Sequence, residues 1–206
     1  MNFLEKKKIL LIISGGIAAY KSLDLIRSLI KIQCEVKTIL TKGGAEFVTP
    51  LSIASLSKNK VYSDMYSVEN ESEMDHISLS RWADLILIAP ATSNIIAKMS
   101  QGISDDLATT VVQASNKSIF VCPAMNVRMW EHASNKQNLE KIKSYNYRII
   151  GPFNGEMACG EYGDGRMADI EYILKELDNF FKSKSSNKKY RAIVTAGPTQ
   201  EYIDPV

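Results

Sequence analysis

Cysteine and histidine, the residues of disulfide frameworks and of most zinc sites, are scarce in this sequence. Its 206 residues include three cysteines, Cys34, Cys122 and Cys159, and two histidines. The number of cysteines is odd and no CxxC spacing occurs, which argues against a disulfide framework and against a zinc site. We therefore expect free thiols in a reducing, cytoplasmic setting, and no bound metal.

Long apolar runs and an excess of charge of one sign are also absent. No stretch approaches ~18 apolar residues, so the sequence predicts no transmembrane helix. The first apolar run, Ile9–Ile13, is too short for the core of a signal peptide. The formal net charge is +2, and the lysines are scattered apart from those in 6–8 and 182–189. We expect neither nucleic acid nor a membrane as partner.

The sequence does contain a regular alternation of short apolar segments and amphipathic segments, within a composition that is 45% hydrophobic and 23% charged. The predicted strands, rich in Ile, Leu and Val, are Lys8–Ile13, Glu35–Leu40, Asp84–Ala89, Ser118–Val121 and Tyr147–Ile150. The predicted helices are Ile17–Ile32, Pro50–Leu56, Ser93–Met99, Asp106–Ala114, Asn135–Ser144 and Asp169–Phe181. This order predicts an α/β fold, with a doubly wound parallel sheet of the flavodoxin-like or Rossmann-like kind in three layers.

The polar segment 183–189, SKSSNKK, lacks apolar periodicity and predicts a linker. It separates a predicted domain over 1–182 from an apolar strand candidate, Tyr190–Thr195, and a turn that follows it. A lone strand and turn cannot form a core. Residues 190–206 are therefore expected to be the start of a further domain.

The first predicted strand leads into Ser14-Gly15-Gly16-Ile17, and the second ends at Thr41 beside two more glycines. Small residues let the backbone approach a ligand closely, and free amides at a helix start favour an anion. The spacing is not GxGxxG, so the dinucleotide fingerprint is not supported. A phosphate loop and a tight turn without a ligand both remain open on this segment alone.

Polar or small side chains also follow the later strands. The segment Ala91-Thr92-Ser93-Asn94 offers groups for a flat heterocycle or a sugar, although Thr92 or Ser93 would equally suit a helix N-cap. Asn126 follows the next strand, and its carboxamide can donate to a carboxylate and accept from an amide. Met125 beside it is a candidate wall of a pocket.

Two further segments contain candidate reactive groups. The stretch Met157–Met167 has three glycines and Cys159, and predicts a mobile loop that can close over a ligand. A cysteine in such a loop is accessible, although loop cysteines are more often inert than catalytic. His76 is the candidate base, because histidine side chains ordinarily titrate near neutral pH.

These segments occur together and in one order: SGGIAAYK at 14–21, TPL at 49–51, HISL at 76–79, WADL at 82–85, APAT at 89–92, PAMNxxMW at 123–130 and ACGxxGxGRM at 158–167. On these motifs the sequence resembles the flavin-dependent cysteine decarboxylase family, from about Lys8 to its last residue. Within that family it resembles the amino-terminal half of bacterial bifunctional phosphopantothenoylcysteine decarboxylase/phosphopantothenate–cysteine ligases. Residues 190–206 resemble the opening of the ligase domain, so ligase activity is not expected from this chain.

The resemblance implies FMN as cofactor and 4′-phospho-N-pantothenoylcysteine as substrate, converted to 4′-phosphopantetheine in coenzyme A biosynthesis. It implies oxidation to a thioaldehyde, loss of carbon dioxide and reduction of the resulting enethiol. His76 would act as base, Asn126 would bind the substrate carboxylate, and Cys159 would donate a proton. The implied flavin-binding residues are Ser14, Gly15, Gly16, Ile17, Thr41, Phe47, Ala91, Thr92, Ser93 and Asn94. The implied substrate-binding residues are Met125, Asn126 and Arg166.

Three related functions remain open: peptidyl-cysteine decarboxylation, which lacks the loop cysteine; flavin prenyl transfer, which would not require Asn126; and a non-catalytic regulatory role. The resemblance also implies a homotrimer with flavin sites at subunit boundaries, or a dodecamer built from trimers. One departure is visible. Asp105 stands where the family usually has asparagine, and an added negative charge near a phosphate or flavin would be unfavourable.

Overall fold

The structure, a computed structural model, describes residues 2–63 and 75–186. The strands are β1 (Lys8–Ile13), β2 (Glu35–Leu40), β3 (Val61–Tyr62), β4 (Leu85–Ala91), β5 (Ser118–Pro123), β6 (Arg148–Ile149), β7 (Phe153–Glu156) and β8 (Tyr162–Arg166). The helices are α1 (Lys21–Lys31), α2 (Lys42–Ala45), α3 (Pro50–Ser57), α4 (Asp75–Trp82), α5 (Ser93–Gln101), α6 (Leu107–Gln113), α7 (Val127–Glu131), α8 (Ala133–Ser144) and α9 (Ile170–Ser186). A 3₁₀ turn over Ile17–Tyr20 precedes α1.

Six strands form one parallel sheet in the order β3-β2-β1-β4-β5-β6. The direction of winding reverses between β1 and β4, as in doubly wound nucleotide-binding domains. At such a reversal the loops that leave the two strands diverge, so a crevice opens outside their carboxyl ends. The predicted fold is confirmed, and this crevice is where a ligand site is expected.

The side chains of β1 alternate between two buried cores on opposite faces of the sheet. Ile9, Leu11 and Ile13 pack with α1, α3 and α9, whereas Leu10 and Ile12 pack with α4, α5, α6 and α8. All five side chains are fully buried. Burial of each such side chain stabilises the fold by about 1.5–3 kcal/mol. The three layers therefore follow from apolar strands that are covered on both faces.

Side-chain caps fix the chain where it leaves three of the central strands. Thr41 after β2, Thr92 after β4 and Asn126 after β5 each accept a hydrogen bond from a backbone N–H three residues further on. A cap of this kind contributes about 1 kcal/mol and sets the direction of the new helix. Thr92 is thus the N-cap of α5, one of the two roles that its sequence context allowed.

An antiparallel hairpin occupies most of the segment predicted as a mobile loop. In it β7 pairs with β8, with Phe153 opposite Arg166 and Glu156 opposite Tyr162. The prediction of a loop is therefore wrong for Tyr162–Arg166, which form a paired strand, whereas residues 157–161 form the turn between the strands. The glycine-rich sequence of β8 lacks the apolar alternation that signals a strand.

The carboxyl-terminal helix is longer than predicted. Helix α9 continues to Ser186, so the first four residues of the predicted linker, 183–186, are helical. The remainder of the linker, 187–189, and the predicted start of a further domain, 190–206, lie outside the described residues. Within the described ranges, none of the helices combines the length and the apolar character that a membrane crossing requires.

Candidate functional site

Ser14, directly after β1, joins the first loop to the segment after β4. Its hydroxyl donates a hydrogen bond of 2.7 Å to the Pro90 carbonyl and accepts one of 3.1 Å from the Thr92 N–H. The residue is 3% exposed. Backbone groups therefore occupy the hydroxyl of Ser14, one of the residues predicted to bind the flavin, and Ser14 positions the two loops against each other.

The loops after β1 and β2 approach each other backbone to backbone. A methyl group on Gly15 would lie 3.2 Å from the Gly43 carbonyl oxygen. The Thr41 hydroxyl fixes the second loop, since it donates to the Ile13 carbonyl at 3.2 Å and accepts from the Gly44 N–H at 3.1 Å. These contacts require small residues, which explains the glycines on both loops.

Gly16 has a φ of 102°, a conformation that side-chain-bearing residues rarely adopt, and a methyl group added there would lie 3.7 Å from the Thr92 methyl group. The apolar side chains of Ile17 and Phe47 project from these loops and are 56% and 47% exposed. A backbone cradle with exposed apolar side chains beside it fits a phosphorylated cofactor that carries a flat ring. Of the other residues predicted for the cofactor, Ala91 is buried, Ser93 is half-buried and Asn94 is exposed.

A cavity of about 460 Å³ lies beside this cradle and joins four separate parts of the chain. Its lining comes from residues within 16–21, 124–126, 156–159 and 165–167. It therefore brings together Met125, Asn126, Cys159 and Arg166, all of which were predicted from the sequence. The size and the mainly apolar lining suit a small organic ligand.

Asn126 presents only part of its carboxamide to the cavity. Its side-chain oxygen accepts a hydrogen bond of 2.8 Å from the Met129 N–H and so caps α7. The N–H groups of the same carboxamide are the part that remains for a ligand, and they donate. Asn126 is thus suited to bind a carboxylate or a carbonyl oxygen.

The hairpin lies directly against the Met125 backbone. The Met125 N–H donates to the Gly165 carbonyl at 3.1 Å. A methyl group on Gly165, whose φ is 142°, would lie only 2.2 Å from the Met125 carbonyl oxygen. Cys159 lies in the turn at the other end of the hairpin, where its side chain is exposed. The hairpin therefore places a thiol at the cavity that Asn126 lines.

Arg166 and Lys21 contribute positive charge to the same cavity. The Arg166 guanidinium forms a two-pronged ion pair with Asp169, at 2.9 and 3.2 Å. Burial, followed by repulsion from Arg166, lowers the pKa of the Lys21 ammonium group, while Asp169 acts in the opposite direction. Lys21 lines the cavity but was not among the site residues predicted from the sequence. Its place at the end of the glycine loop, where α1 begins, is the signal that indicates it.

His76 lies apart from the other predicted catalytic residues. It is half-buried on α4 and is not among the residues that line the cavity. Helix α4 packs through Leu79 on the face of the sheet opposite to α1, whereas α1 begins at the cavity. A single chain therefore brings Asn126 and Cys159 together but leaves His76 outside their cavity.

Asp105 has a partner that offsets its charge. Its carboxylate accepts a hydrogen bond of 2.7 Å from the Lys98 ammonium group, which also contacts Asp106 at 3.0 Å. Asp105, the residue that differs from the family pattern, thus has its charge compensated by Lys98 on the surface beside α5 and α6. The ion pair with Lys98 accounts for Asp105 without the predicted repulsion between its carboxylate and a phosphate or flavin.

Fold and site together define a nucleotide-binding α/β protein with a ligand cavity at the carboxyl edge of its sheet. Residues 2–182 match the family described as Flavoprotein, and the chain belongs to that family. It is 43% identical over 203 residues to the coenzyme A biosynthesis bifunctional protein CoaBC of Haemophilus influenzae, and 40% identical over 205 residues to that of Bacillus subtilis. Each match covers 98% of this chain, which spans about half the length of these relatives, 51% and 50% respectively.

Solved structures resemble both the fold and the sequence. The FMN-binding protein AtHal3 superposes with a TM-score of 0.74 at 32% identity, covering 87% of this chain and 98% of that one. A PPC decarboxylase mutant complexed with pantothenoylaminoethenethiol superposes with a TM-score of 0.77 at 29% identity, covering 86% of this chain and 100% of that one.

Proposed function

We propose that this chain is an FMN-dependent decarboxylase that converts 4′-phospho-N-pantothenoylcysteine to 4′-phosphopantetheine in coenzyme A biosynthesis. The observation that carries the proposal is the cavity that joins Asn126 and the Cys159 turn to the glycine cradle. The similarity to the CoaBC proteins and to the PPC decarboxylase structure supports the choice of substrate. The free thiols of Cys34, Cys122 and Cys159 support a cytoplasmic setting.

A cysteine carboxylate does not lose carbon dioxide unaided, because the electrons left on carbon have no acceptor. When bound, FMN supplies a two-electron acceptor for oxidation of the thiol carbon to a thioaldehyde, and later returns those electrons. The cradle of Ser14, Gly15, Gly16 and Thr41, with Ile17 and Phe47 beside it, would hold the cofactor. The thioaldehyde C=S bond then accepts the electrons released with carbon dioxide.

Asn126 orients the carboxylate that is lost. Its free N–H groups donate to the carboxylate, while the bond from its oxygen to the Met129 N–H fixes the plane of the carboxamide. Met125 forms the wall beside it. A donor held in this way needs no rearrangement during the reaction, which is how oriented hydrogen bonds contribute to catalysis.

Cys159 supplies the proton for the second half of the reaction. Reduction of the enethiol adds one hydride and one proton, and the exposed thiol at the cavity is placed to give the proton. We expect Cys159→Ser to release carbon dioxide at nearly the normal rate but to accumulate the enethiol. A matched control is Cys34→Ser, which changes a buried thiol away from the cavity. Normal 4′-phosphopantetheine formation by Cys159→Ser would contradict this role.

His76 acts as the base from a second copy of the chain. Its distance from the cavity within one chain supports a site that is completed at a subunit boundary, as in a head-to-tail trimer or a dodecamer of trimers. The exposed apolar side chains of Ile17 and Tyr20, which line the cavity, support such a boundary. His76→Asn alone should abolish carbon dioxide release while FMN remains bound.

Mixed oligomers test the shared site. Cys159→Ser and His76→Asn chains, coexpressed in equal amounts, should form 4′-phosphopantetheine at roughly a quarter of their sites, because each half of a head-to-tail site is intact in half of the copies. If both residues served one site from the same chain, no mixture would restore the product. The basic assay for the proposed function is release of carbon dioxide from 4′-phospho-N-pantothenoylcysteine by the wild-type chain, and its absence would overturn the proposal.

A further inference from the structure

Two lysine clusters that lie far apart in the sequence meet at the amino-terminal edge of the sheet. One is in 6–8, next to β1, and the other is in 182–189, which begins in the last turns of α9. The Lys7 ammonium group lies 5.2 Å from the centroid of the Phe181 ring, and that of Lys184 lies 4.8 Å from the Phe180 centroid. The centroids of these two rings are 5.2 Å apart, so both clusters rest on one aromatic support.

Arg148, the first residue of β6, adds a third cation to the same support. Its guanidinium carbon lies 4.8 Å from the Phe180 centroid and 5.7 Å from that of Phe120. All three rings are buried, whereas Arg148 and Lys184 are exposed. Contact with an aromatic ring holds the aliphatic stem of such a side chain and directs its charged end, but it leaves the charge in place. We call Lys7, Arg148 and Lys184 the basic edge.

No carboxylate among residues 2–63 and 75–186 forms a salt bridge with the basic edge. The acidic residues near it in the sequence have other partners. Asp178 of α9 accepts hydrogen bonds from the Phe3 and Leu4 N–H groups, at 2.6 and 3.1 Å, and Glu5 contacts Lys6 at 3.9 Å. Three positive charges on one small surface therefore repel each other without a counter-charge from the described part of the chain.

The basic edge is separate from the catalytic cavity. From Lys7, β1 extends over six residues, about 20 Å at ~3.3 Å per residue, before the chain reaches Ser14 of the cradle. None of the three cations lines the cavity. The proposed decarboxylation therefore does not account for this concentration of charge.

We propose that the basic edge binds an oligophosphate, a chain of linked phosphate groups such as inorganic triphosphate or the tail of a nucleoside triphosphate. The charged groups of Arg148 and Lys184 each lie 4.8 Å from the Phe180 centroid, so at most twice that distance separates them. Linked phosphates bridge such a gap with one cation bound to each. Within the described ranges, no guanidinium N–H group of Arg148 donates to a protein acceptor, and the planar guanidinium suits two phosphate oxygens.

The phosphates, and not a base or a carboxylate, are the part of the ligand that fits. Phe120, Phe180 and Phe181 are only 2%, 5% and 8% exposed, so a nucleobase has no open ring on which to stack. In an extended acidic peptide, successive side chains alternate, and neighbouring carboxylates on one side are about 7 Å apart. Linked phosphates place more negative charge within the span of the three cations than such a peptide does.

Titration calorimetry on the full chain with bound FMN, without divalent cations, tests the site. Wild type should bind inorganic triphosphate more tightly than inorganic phosphate. A rise in ionic strength from about 0.01 to about 0.15 M should weaken this binding, because the screening length falls from about 30 to about 8 Å. Replacement of Lys7, Arg148 and Lys184 together by glutamine should lower the affinity on the order of 10- to 100-fold, since each exposed ion pair contributes about 2- to 5-fold.

The matched control replaces Lys58, Arg81 and Lys136 by glutamine, which removes one arginine and two lysines that are exposed elsewhere on the chain. The control should bind triphosphate as wild type does. Urea unfolding and FMN content show whether both triple variants are folded. If the triple variant of the basic edge does not fold, its three single variants replace it in the test, each with an expected loss of about 2- to 5-fold.

Titration with ATP distinguishes the two sources of the ligand. Equal affinities for ATP and inorganic triphosphate would support a site for the phosphates alone. Tighter binding of ATP that is lost with the basic edge would support a nucleoside triphosphate as the ligand.

Four results would overturn the proposal. Wild type that binds no triphosphate would remove the site. Equal affinities in wild type and in the triple variant of the basic edge would place the triphosphate elsewhere, the catalytic cavity included. Equal losses in the two triple variants would show attraction to the net charge alone. A glutamate hexapeptide that binds as tightly as triphosphate would identify the basic edge as a docking surface for acidic protein segments.

Discussion

Replacement of Gly165 by alanine tests whether catalytic activity requires the close contact between the hairpin and Met125. The added methyl group would lie 2.2 Å from the Met125 carbonyl oxygen, and ordinary contacts of this kind begin near 3.4 Å. The two segments must therefore separate by about 1 Å, because overlap on this scale is far more costly than the movement. A displacement of ~1 Å in a positioning element lowers activity on the order of 100-fold.

The structure also gives the size of the stability change. A φ of 142° is unfavourable for alanine, which costs about 1–3 kcal/mol. Loss of the 3.1 Å hydrogen bond from the Met125 N–H adds about 1 kcal/mol. The total, about 2–4 kcal/mol, falls on a hairpin at the edge of the fold, so we expect the main sheet to remain folded.

Gly160→Ala is the matched control, since Gly160 also has a positive φ, 81°, but a methyl group there meets nothing within 4 Å. Both variants should be assayed for 4′-phosphopantetheine formation and for unfolding in urea. Gly165→Ala should lose on the order of 100-fold in kcat/KM, and Gly160→Ala far less. Equal activities in the two variants would refute the view that the Gly165 contact positions Asn126.

Two further predictions concern the reactivity of the thiols and the dependence of the free energy of unfolding on pH. Cys159 should react with a thiol reagent in the folded protein, whereas Cys34 and Cys122 should react only after unfolding, because burial raises the pKa of Cys34 to about 11 and raises that of Cys122 as well; equal labelling rates in the native protein would contradict this. For Asp106, burial favours the neutral form, but hydrogen bonds from Thr109 and the ion pair with Lys98 outweigh it and lower the pKa. Its charge should therefore stabilise the fold at pH values above the ordinary range of an aspartate, and that contribution should disappear as the pH falls through the lowered value. Urea unfolding of Asp106→Asn should show a loss at neutral pH that shrinks in acid, with the more exposed Asp105→Asn as control; a loss independent of pH would contradict the assignment.

The sequence predicts the sheet well because its strands are continuous apolar runs. The first two strands have the predicted bounds, and β4 begins one residue later and ends two residues later than predicted. Such runs are recognisable because both faces of the sheet are covered. Helix α4 was not predicted, since its apolar residues are few and do not repeat with a clear helical period.

The hairpin shows what local pattern cannot predict. Strand β8, Tyr162–Arg166, has two glycines and two charged residues in five positions, which is typical of a loop. Its order comes from pairing with β7 and from the contact between Gly165 and Met125, residues 40 positions apart in the chain. The glycines were noted as a sign of mobility, whereas in the structure Gly165 is needed for a close approach.

The predicted site residues differ in whether the structure places them at the cavity or against the backbone. Asn126 and Cys159 were identified one at a time from their motifs, and the hairpin brings them to one cavity. Ser14 is one of the predicted flavin-binding residues, yet its hydroxyl joins two loops of the backbone. A motif therefore indicates that a position requires a particular residue type. Whether that residue contacts a ligand or the protein backbone depends on tertiary contacts outside the motif.

Lys21 is a residue of the cavity that local sequence pattern does not identify. It belongs to the glycine-loop motif, where the small residues drew attention to backbone approach and not to charge. Its environment is set by Arg166, which lies 145 positions later in the chain and reaches the cavity only because β8 is ordered. A charge that is compensated, as Asp105 is by Lys98, has no need of a ligand. Among the described residues Lys21 forms no such salt bridge, and the carboxylate that attracts it, Asp169, is already paired with Arg166.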